Sequence, residues 1–105
     1  MGNSIKIRAR MKGGNTAEVK SLIRHPMETG RRKNKKTGKL IPAHFIQEVV
    51  CTHNGKPVLN ADWSTAISAN PYLAFAFTGA KAGDKLTLSW KDNLGQGDSI
   101  ETTIR

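Results

Sequence analysis

The sequence contains a single cysteine, Cys51, and no long run of apolar residues. One cysteine excludes an intramolecular disulfide and every metal site that is built from several thiolates. The apolar stretches are much shorter than the ~20 residues that a membrane-spanning helix needs. The first residues, MGNSIKIRARMKGG, also lack the apolar core of a secretory signal. We therefore expect neither a membrane-spanning segment nor an export signal in this sequence.

Cys51 lies in a stretch whose alternation places it on the same strand face as Phe45 and Val49. A cysteine with apolar neighbours usually behaves as a small hydrophobic side chain, so we expect Cys51 to be buried. The alternative is a thiol near a sheet edge that forms a disulfide with another chain.

Motifs of catalysis and of metal binding are also missing. The eight carboxylates form no recognisable acid/base pair, and no nucleophile elbow, phosphate-binding glycine loop or zinc-protease helix motif occurs. His25, His44 and His53 have no short metal-ligand spacing, and one strand through both His44 and His53 would point them to opposite faces. The sequence therefore predicts no catalytic residue, no metal site and no cofactor, and a structural role for the histidines.

Seven short stretches have the composition or alternation of β-strands, and turn signals separate them. Asn54-Gly55 is the clearest turn signal, because both positions of a tight hairpin favour positive φ. Residues 64–70 fit either one helical turn or an irregular crossover. The expected strands cover residues 5–11, 17–25, 43–53, 56–63, 71–78, 85–91 and a last stretch with Ile100, Thr102 and Ile104. This pattern predicts an all-β protein, one domain over residues 1–105 with an immunoglobulin-like β-sandwich of about seven strands.

Apolar residues occur on both faces of the stretch 43–53, which is typical of a central strand covered on two sides. The stretch 71–78 adds Tyr72, Leu73, Phe75 and Phe77. Together these give more apolar surface than one small sandwich needs. We therefore expect an interface of at least ~1,000 Å² with a partner chain, and self-association of the isolated chain through the same surface.

Positive charge is concentrated in one polar segment, residues 24–39, between two expected strands. It holds seven of the 17 Lys and Arg and one of the eight acidic residues, a local charge of +6 out of a net +9. Such a segment indicates a negatively charged partner. Nucleic acid fits the charge, but no aromatic residue precedes Phe45 to stack on bases, and membrane-surface binding would need an amphipathic helix. Docking of an acidic protein and a merely solvated loop are the other interpretations.

Five motifs follow one another along the chain: HPMETG (25–30), GKLIPAHFIQEV (38–49), NGK (54–56), NPY (70–72) and WKDNLG (90–95). In order and spacing they resemble the SoxZ family, the Z subunits of the sulfur-oxidation (Sox) carrier complex. The resemblance extends from Ile5 to Ile104, and the block from HPMETG to LIPAHFI is the most specific part of it.

The resemblance implies a non-catalytic, immunoglobulin-like subunit that pairs with SoxY in a periplasmic heterodimer, exported together with SoxY. SoxY carries thiosulfate-derived sulfur on a cysteine near its glycine-rich C-terminus, so Cys51 does not inherit that role. Transient contacts with other Sox enzymes are implied as well, and no nucleic acid or membrane partner. The alternative is a free-standing basic β-sandwich that binds nucleic acid or another polyanion. The residues that we expect to bind partners are Arg24, Arg31, Arg32, Lys33, Lys35, Lys36, Lys39, Phe45, Tyr72 and Phe75.

Overall fold

The computed structural model describes residues 4–105, which form seven β-strands. Among these residues there is no helix of the length and apolar character that crossing a membrane requires. Residues 64–70 form an irregular crossover that includes one hydrogen-bonded turn, in which the N–H of Ile67 donates to the carbonyl of Ser64 at 3.3 Å. The strands are β1 (Ile5–Met11), β2 (Thr16–Ile23), β3 (Ile46–His53), β4 (Lys56–Asp62), β5 (Tyr72–Thr78), β6 (Lys85–Asp92) and β7 (Gly97–Thr103).

The strands pair into two antiparallel sheets with the orders β1-β2-β5 and β4-β3-β6-β7. Strands β3 and β4 form a hairpin whose turn, Asn54-Gly55, has φ angles of 50° and 86°. Both residues thus adopt the left-handed conformation that the Asn-Gly signal predicts. Two antiparallel sheets with this strand order form an immunoglobulin-like sandwich, so the predicted fold class is confirmed.

The core lies between the sheets and is built from alternate residues of each strand. Val19 and Ile23 of β2 and Leu86 and Leu88 of β6 are fully buried, whereas Leu22, next to Ile23, is 42% exposed. Alternation sends every second side chain toward the other sheet. Each buried aliphatic side chain contributes about 1.5–3 kcal/mol, and this burial holds the two sheets together.

Strand β3 departs from the expected alternation at its start. Its register against β6 shifts between Ile46 and Glu48, a β-bulge in which Gln47 is the extra residue. The bulge turns the Ile46 side chain inward, where Ile46 and Val49 are both fully buried. The alternation predicts that these two side chains lie on opposite faces of the strand. Val50 on the other face is only half-buried. The prediction that β3 is covered on both faces is therefore wrong, although β3 does lie inside its sheet.

The two strands that flank the basic segment are shorter than predicted, and the difference defines a long connecting segment. Strand β2 ends at Ile23 and β3 begins at Ile46. Residues 24–45 are called the basic arm below, because they include the whole basic segment. His25 and His44, at the two ends of the arm, are therefore not strand residues. The molecule is elongated, 55 by 21 by 21 Å. Its long dimension is about twice the ~26 Å that a strand of eight residues spans.

Candidate functional site

The basic arm starts from an ordered base. Glu28 and His44, on its two sides, exchange both backbone hydrogen bonds, with N···O distances of 2.6 and 3.0 Å. The N–H of Arg24 donates to the carbonyl of Ser4 at 2.6 Å, and the N–H of Asn70 donates to the carbonyl of His25 at 2.8 Å. These bonds pair the backbone at the foot of the arm and fix the direction in which the arm leaves the sandwich.

The tip of the arm is a tight turn. Lys33 and Leu40 form a second antiparallel bridge. Beyond it the N–H of Asn34 donates to the carbonyl of Lys39 at 2.8 Å, and the Asn34 side chain accepts from the N–H of Lys36 at 2.8 Å. Gly38 has φ 71°, a conformation that glycine adopts without strain. The tip therefore has one defined conformation, set mainly by Asn34 and Gly38.

The cations of the arm project into solvent. Arg24 and every residue from 31 to 40 are exposed. Of these cations, and within residues 4–105, only Arg32 contacts a carboxylate: its Nε and Nη2 donate to the two oxygens of Glu28 at 3.1 and 2.5 Å. The Arg32 hydrogen bonds lower the pKa of Glu28. Within the same described residues, the arm cations without a carboxylate partner are Arg24, Arg31, Lys33, Lys35, Lys36 and Lys39, and they give the arm its available positive charge.

Beneath the arm, His25, His44 and Asp92 form a hydrogen-bonded cluster, called the His-Asp clasp below. Asp92 Oδ2 lies 3.1 Å from His25 Nε2 and 2.7 Å from His44 Nε2. The N–H of Met27 donates to His25 Nδ1 at 3.1 Å. The ring proton of His25 therefore lies on Nε2, which donates the hydrogen bond that Asp92 Oδ2 accepts. The side chains of His25 and Asp92 are 2% and 0% exposed. The clasp therefore ties both ends of the arm to the end of β6.

Asp92 is saturated with donors. Its second oxygen, Oδ1, accepts from the N–H groups of Leu94 at 3.0 Å and Gln96 at 2.9 Å. A buried carboxylate can stay charged only when it is hydrogen-bonded in this way. Burial raises the pKa of Asp92, but the hydrogen bonds from His25, Gln96, His44 and Leu94 outweigh it, and the pKa lies below its ordinary value.

The ligand-type atoms of the clasp lie within 4.8 Å of one another, which raises the question of a metal ion. The bonding of His25 argues against one. A metal on Nε2 would move the ring proton to Nδ1, where it would oppose the N–H of Met27. The clasp therefore fits a structural role. Spacing arguments miss this cluster because 67 and 48 residues separate Asp92 from His25 and His44.

The clasp gives stability a pH dependence. Burial lowers the pKa of His25 below its ordinary value of 6.5. The hydrogen bond to Asp92 raises this pKa in part, and the nearby His44 lowers it further. Between the folded and unfolded pKa values the unfolded chain binds more protons, so the free energy of unfolding falls as pH drops below about 6.5. The lowered pKa of Asp92 adds a further loss below pH 3.8. Urea unfolding at pH 7.5, 6.0 and 5.0 should show this decline, and His25→Gln should flatten it; an unchanged slope would contradict the assignment.

The three aromatic residues expected at an interface lie in different places. Tyr72 is 63% exposed on the outer face of β5, opposite Leu22 of β2, which is 42% exposed. Phe45 and Phe75 are partly buried and pack against the core. The ring of Phe75 lies 6.4 Å from that of Phe77 on the inner side of β5. Only Tyr72 presents a largely free aromatic side chain, while Phe45 and Phe75 offer part of their surface.

A second basic surface covers the outer face of the β1-β2-β5 sheet, and no sequence motif marked it. Arg8 lies opposite Lys20, and Lys6 lies opposite Leu22. Glu18 is the carboxylate on this face, and its pKa is lowered, first by a hydrogen bond from Lys12. Its ion-pair partners, at 3.1 to 3.8 Å, are Arg10, Lys12 and Lys20. Alternation predicts the outward side chains of β1, but only the register brings Lys20 beside them.

Cys51 is fully buried, as the sequence predicts. Its neighbours in the core include Val49 on the same face of β3 and Leu88, its partner on β6. Burial raises the pKa of the thiol to about 11. At neutral pH the group is therefore protonated, and a protonated buried thiol is a poor nucleophile.

We expect Cys51→Ser to lower the free energy of unfolding by about 1–2 kcal/mol, because it places a hydroxyl in an apolar site. Cys51→Ala is the matched control for loss of the sulfur without a new polar group. Thiosulfate turnover in a reconstituted Sox system, the activity that the sequence resemblance implies, should stay within a few-fold of wild type. A thiol reagent should modify the wild-type chain only on unfolding. Lost turnover with fold and pairing intact would contradict this expectation.

The fold and the site together define a class of protein: an immunoglobulin-like β-sandwich that presents an anchored basic arm. The family model described as sulphur oxidation protein SoxZ matches residues 5–103. The chain belongs to the SoxZ family, whose members are subunits of the sulfur-oxidising Sox system. The matched range contains the basic arm, the His-Asp clasp and all seven strands. No curated protein matches the chain in sequence.

Proposed function

We propose that this chain is the non-catalytic subunit of the SoxYZ carrier of thiosulfate oxidation. It pairs with SoxY, stabilises it, and offers a docking surface to the Sox enzymes that process the carried sulfur. Membership of the SoxZ family over residues 5–103 is the observation that carries the proposal. Two features of the chain support the division of labour between the two subunits.

The first feature is the environment of the thiol. A covalent sulfur carrier needs an accessible thiolate, because the thiolate is the reactive form of cysteine. The one cysteine of this sequence, Cys51, is fully buried and has a pKa of about 11. The buried thiol supports a division of labour in which another chain supplies the reactive thiol, and SoxY is the chain that the family resemblance implies.

The second feature is the combination of a rigid base and an exposed charged tip. The His-Asp clasp and the Glu28–His44 bridge fix the foot of the arm, while residues 31–40 are exposed. Charges on the rim of an interface act mainly on the rate of encounter. A basic arm of this kind suits transient docking of several enzymes, each of which must meet the carrier and leave again.

The location of the protein follows from the proposed pairing. The heterodimer works in the periplasm, and this chain reaches it by export together with SoxY. Replacing the export signal of SoxY with a cytoplasmic sequence should therefore leave both chains in the cytoplasm. Periplasmic recovery of this chain without SoxY would contradict the co-export proposal.

Mixing the chain with SoxY and measuring the mass of the complex by size-exclusion chromatography with light scattering tests the proposed function. The expected result is a one-to-one heterodimer at micromolar concentration, with an interface of at least ~1,000 Å². A salt titration of DNA binding tests the alternative. A steep loss of DNA affinity with salt, together with no affinity for SoxY, would support a polyanion-binding sandwich instead.

A further inference from the structure

The two sheets of the sandwich have four edge strands, and three of them are protected against pairing with another chain. Strand β1 is covered in part by the C-terminus, where Arg105 exchanges backbone hydrogen bonds with Met11 and Ala9 at 2.8 and 3.1 Å. Strand β4 contains Pro57 and a register shift, and β7 carries charged residues such as Glu101. Proline, irregular register and charge are the usual means of blocking an edge.

Strand β5 has none of these protections. Its sequence, YLAFAFT, contains no charge, no proline and no glycine. The N–H of Ile23 donates to the carbonyl of Pro71 at 3.0 Å, and the N–H of Gly79 donates to the carbonyl of Asn15 at 2.9 Å. These two bonds fix the phase of the antiparallel ladder, that is, which residues of β5 direct their N–H and C=O groups toward β2 and which direct them away. By that phase the N–H and C=O groups of Ala74 point away from β2.

The same phase directs the backbone groups of Tyr72 and Ala76 toward the open side of β5. Within residues 4–105, no backbone or side-chain hydrogen bond from outside the β2 ladder reaches these two residues or Ala74. The edge thus presents a row of free donors and acceptors over most of its length. Unpaired main-chain groups in such a row are a template for an additional strand.

The side chains next to this edge are apolar and incompletely covered. Phe75 and Phe77 point inward from β5 but are only partly buried, and so are Val58 and Leu59 of β4. The opposite side of the sandwich is closed by contacts between β1 and β7. A strand added beside β5 would extend the β1-β2-β5 sheet over this opening and bury these apolar side chains.

We propose that β5 is the site at which the partner chain adds a β-strand, and that this strand is acidic. The inference rests on the proposed function, because it assigns to SoxY the place where it binds. Main-chain hydrogen bonds along the edge would supply affinity, and the apolar side chains between β5 and β4 would supply specificity.

The charge of the adjoining sheet face selects the occupant. On the outer face of the adjoining strand β2, Lys20 lies opposite Ala74 and Glu18 lies opposite Ala76, and these two side chains form an ion pair at 3.7 Å. The surplus positive charge of this face comes from the exposed residues Lys6, Arg8 and Arg10 of β1. An acidic strand beside β5 would lie about 10 Å from Lys20, whereas a second copy of this chain would bring one net charge of +9 against another.

The test uses proline at edge positions whose N–H points outward, so that no hydrogen bond within the chain is removed. Ala74→Pro and Ala76→Pro act on β5, and Asn60→Pro is the matched control on the β4 edge, where the ladder with β3 also directs the N–H outward. We expect the β5 variants to weaken SoxY binding at least about tenfold, measured by calorimetry. Asn60→Pro should bind like wild type.

A backbone readout keeps the proposal testable even if a proline variant misfolds. In the wild-type chain the amides of Ala74 and Ala76 should exchange with solvent rapidly and become protected when SoxY is added. The amide of Asn60 should not change. If wild type binds SoxY without protection of β5, the edge assignment is wrong while the proposed function stands. If wild type does not bind SoxY, the proposed function itself fails. Protection of β5 in the isolated chain with rising concentration would assign the edge to self-association.

Discussion

Replacement of Asp92 by alanine should lower the free energy of unfolding by about 3–5 kcal/mol. The substitution leaves the Nε2–H groups of His25 and His44 without their acceptor, together with the N–H groups of Leu94 and Gln96. Each buried donor that loses its partner costs about 1–3 kcal/mol, and His25 is the most deeply buried of the four residues. Urea unfolding at pH 7.5 measures the loss.

Two controls separate the clasp from a general effect of removing a carboxylate. Asp92→Asn keeps the volume and one oxygen, so its effect should be intermediate. Asp84→Ala removes a carboxylate that also accepts from a histidine, His53, at 2.7 Å, but its side chain is 21% exposed and water can replace it. We expect a clearly smaller loss of stability for Asp84→Ala than for Asp92→Ala. Equal losses in the free energy of unfolding for Asp92→Ala and Asp84→Ala would show that the clasp stabilises the fold no more than the partly exposed His53–Asp84 pair does.

Amide exchange provides a second readout of the Asp92 variants. Since the clasp joins both ends of the basic arm to β6, its removal should speed exchange at the Glu28–His44 bridge more than in the middle of β2 or β6. Uniform acceleration across the chain would instead indicate a global loss of stability without local release of the arm.

Neutralising the tip of the basic arm should slow encounter with the Sox enzymes by about 10–100-fold at low ionic strength. The variant replaces by Ser or Gln the residues Arg31, Arg32, Lys33, Lys35 and Lys36. All five are exposed, so stability should change little. The proposed SoxY heterodimer should still form, because the proposed pairing strand β5 lies outside the arm. Stopped-flow or steady-state turnover of the heterodimer across a salt series measures the effect, and the dependence of the rate on salt should decrease.

A control variant with the same change in net charge separates the arm from the overall field of the molecule. It neutralises exposed cations elsewhere, namely Lys56, Lys81, Lys85, Lys91 and Arg105. We expect this variant to keep most of the rate and most of the salt dependence. If both variants lose rate equally, the net charge steers encounter and the arm has no particular role. An arm variant with an unchanged rate and salt slope would mean that the arm is only a solvated surface.

Alternation and turn chemistry were sufficient to predict much of the fold. Strand β1 runs from Ile5 to Met11 as the alternation indicates, and the Asn54-Gly55 hairpin has the expected positive φ angles. The burial of Cys51 also follows from its apolar neighbours along one strand. These features are local: each depends on residues a few positions apart, and their physical causes act over that distance.

The concentration of charge in the arm was equally a property of the sequence, because it needs only a count along the chain. What the count could not indicate is that the arm has an ordered base. The backbone bridge between Glu28 and His44 and the turn around Asn34 depend on which segments come together. A polar segment with this composition is compatible with a free loop as well as with a structured arm.

The tertiary structure alone decided the features that join distant parts of the chain. Asp92 meets His25 across 67 residues, and no periodicity connects them. The bulge at Gln47 moves the Ile46 side chain to the face opposite the one that the alternation predicts. The open edge of β5 exists only because of the strand order β1-β2-β5. Sheet order and register are set by hydrogen bonds and burial between strands far apart in sequence. The sequence by itself therefore determined the strands, the buried thiol and the basic segment, and the packing of the two sheets determined the clasp and the free edge.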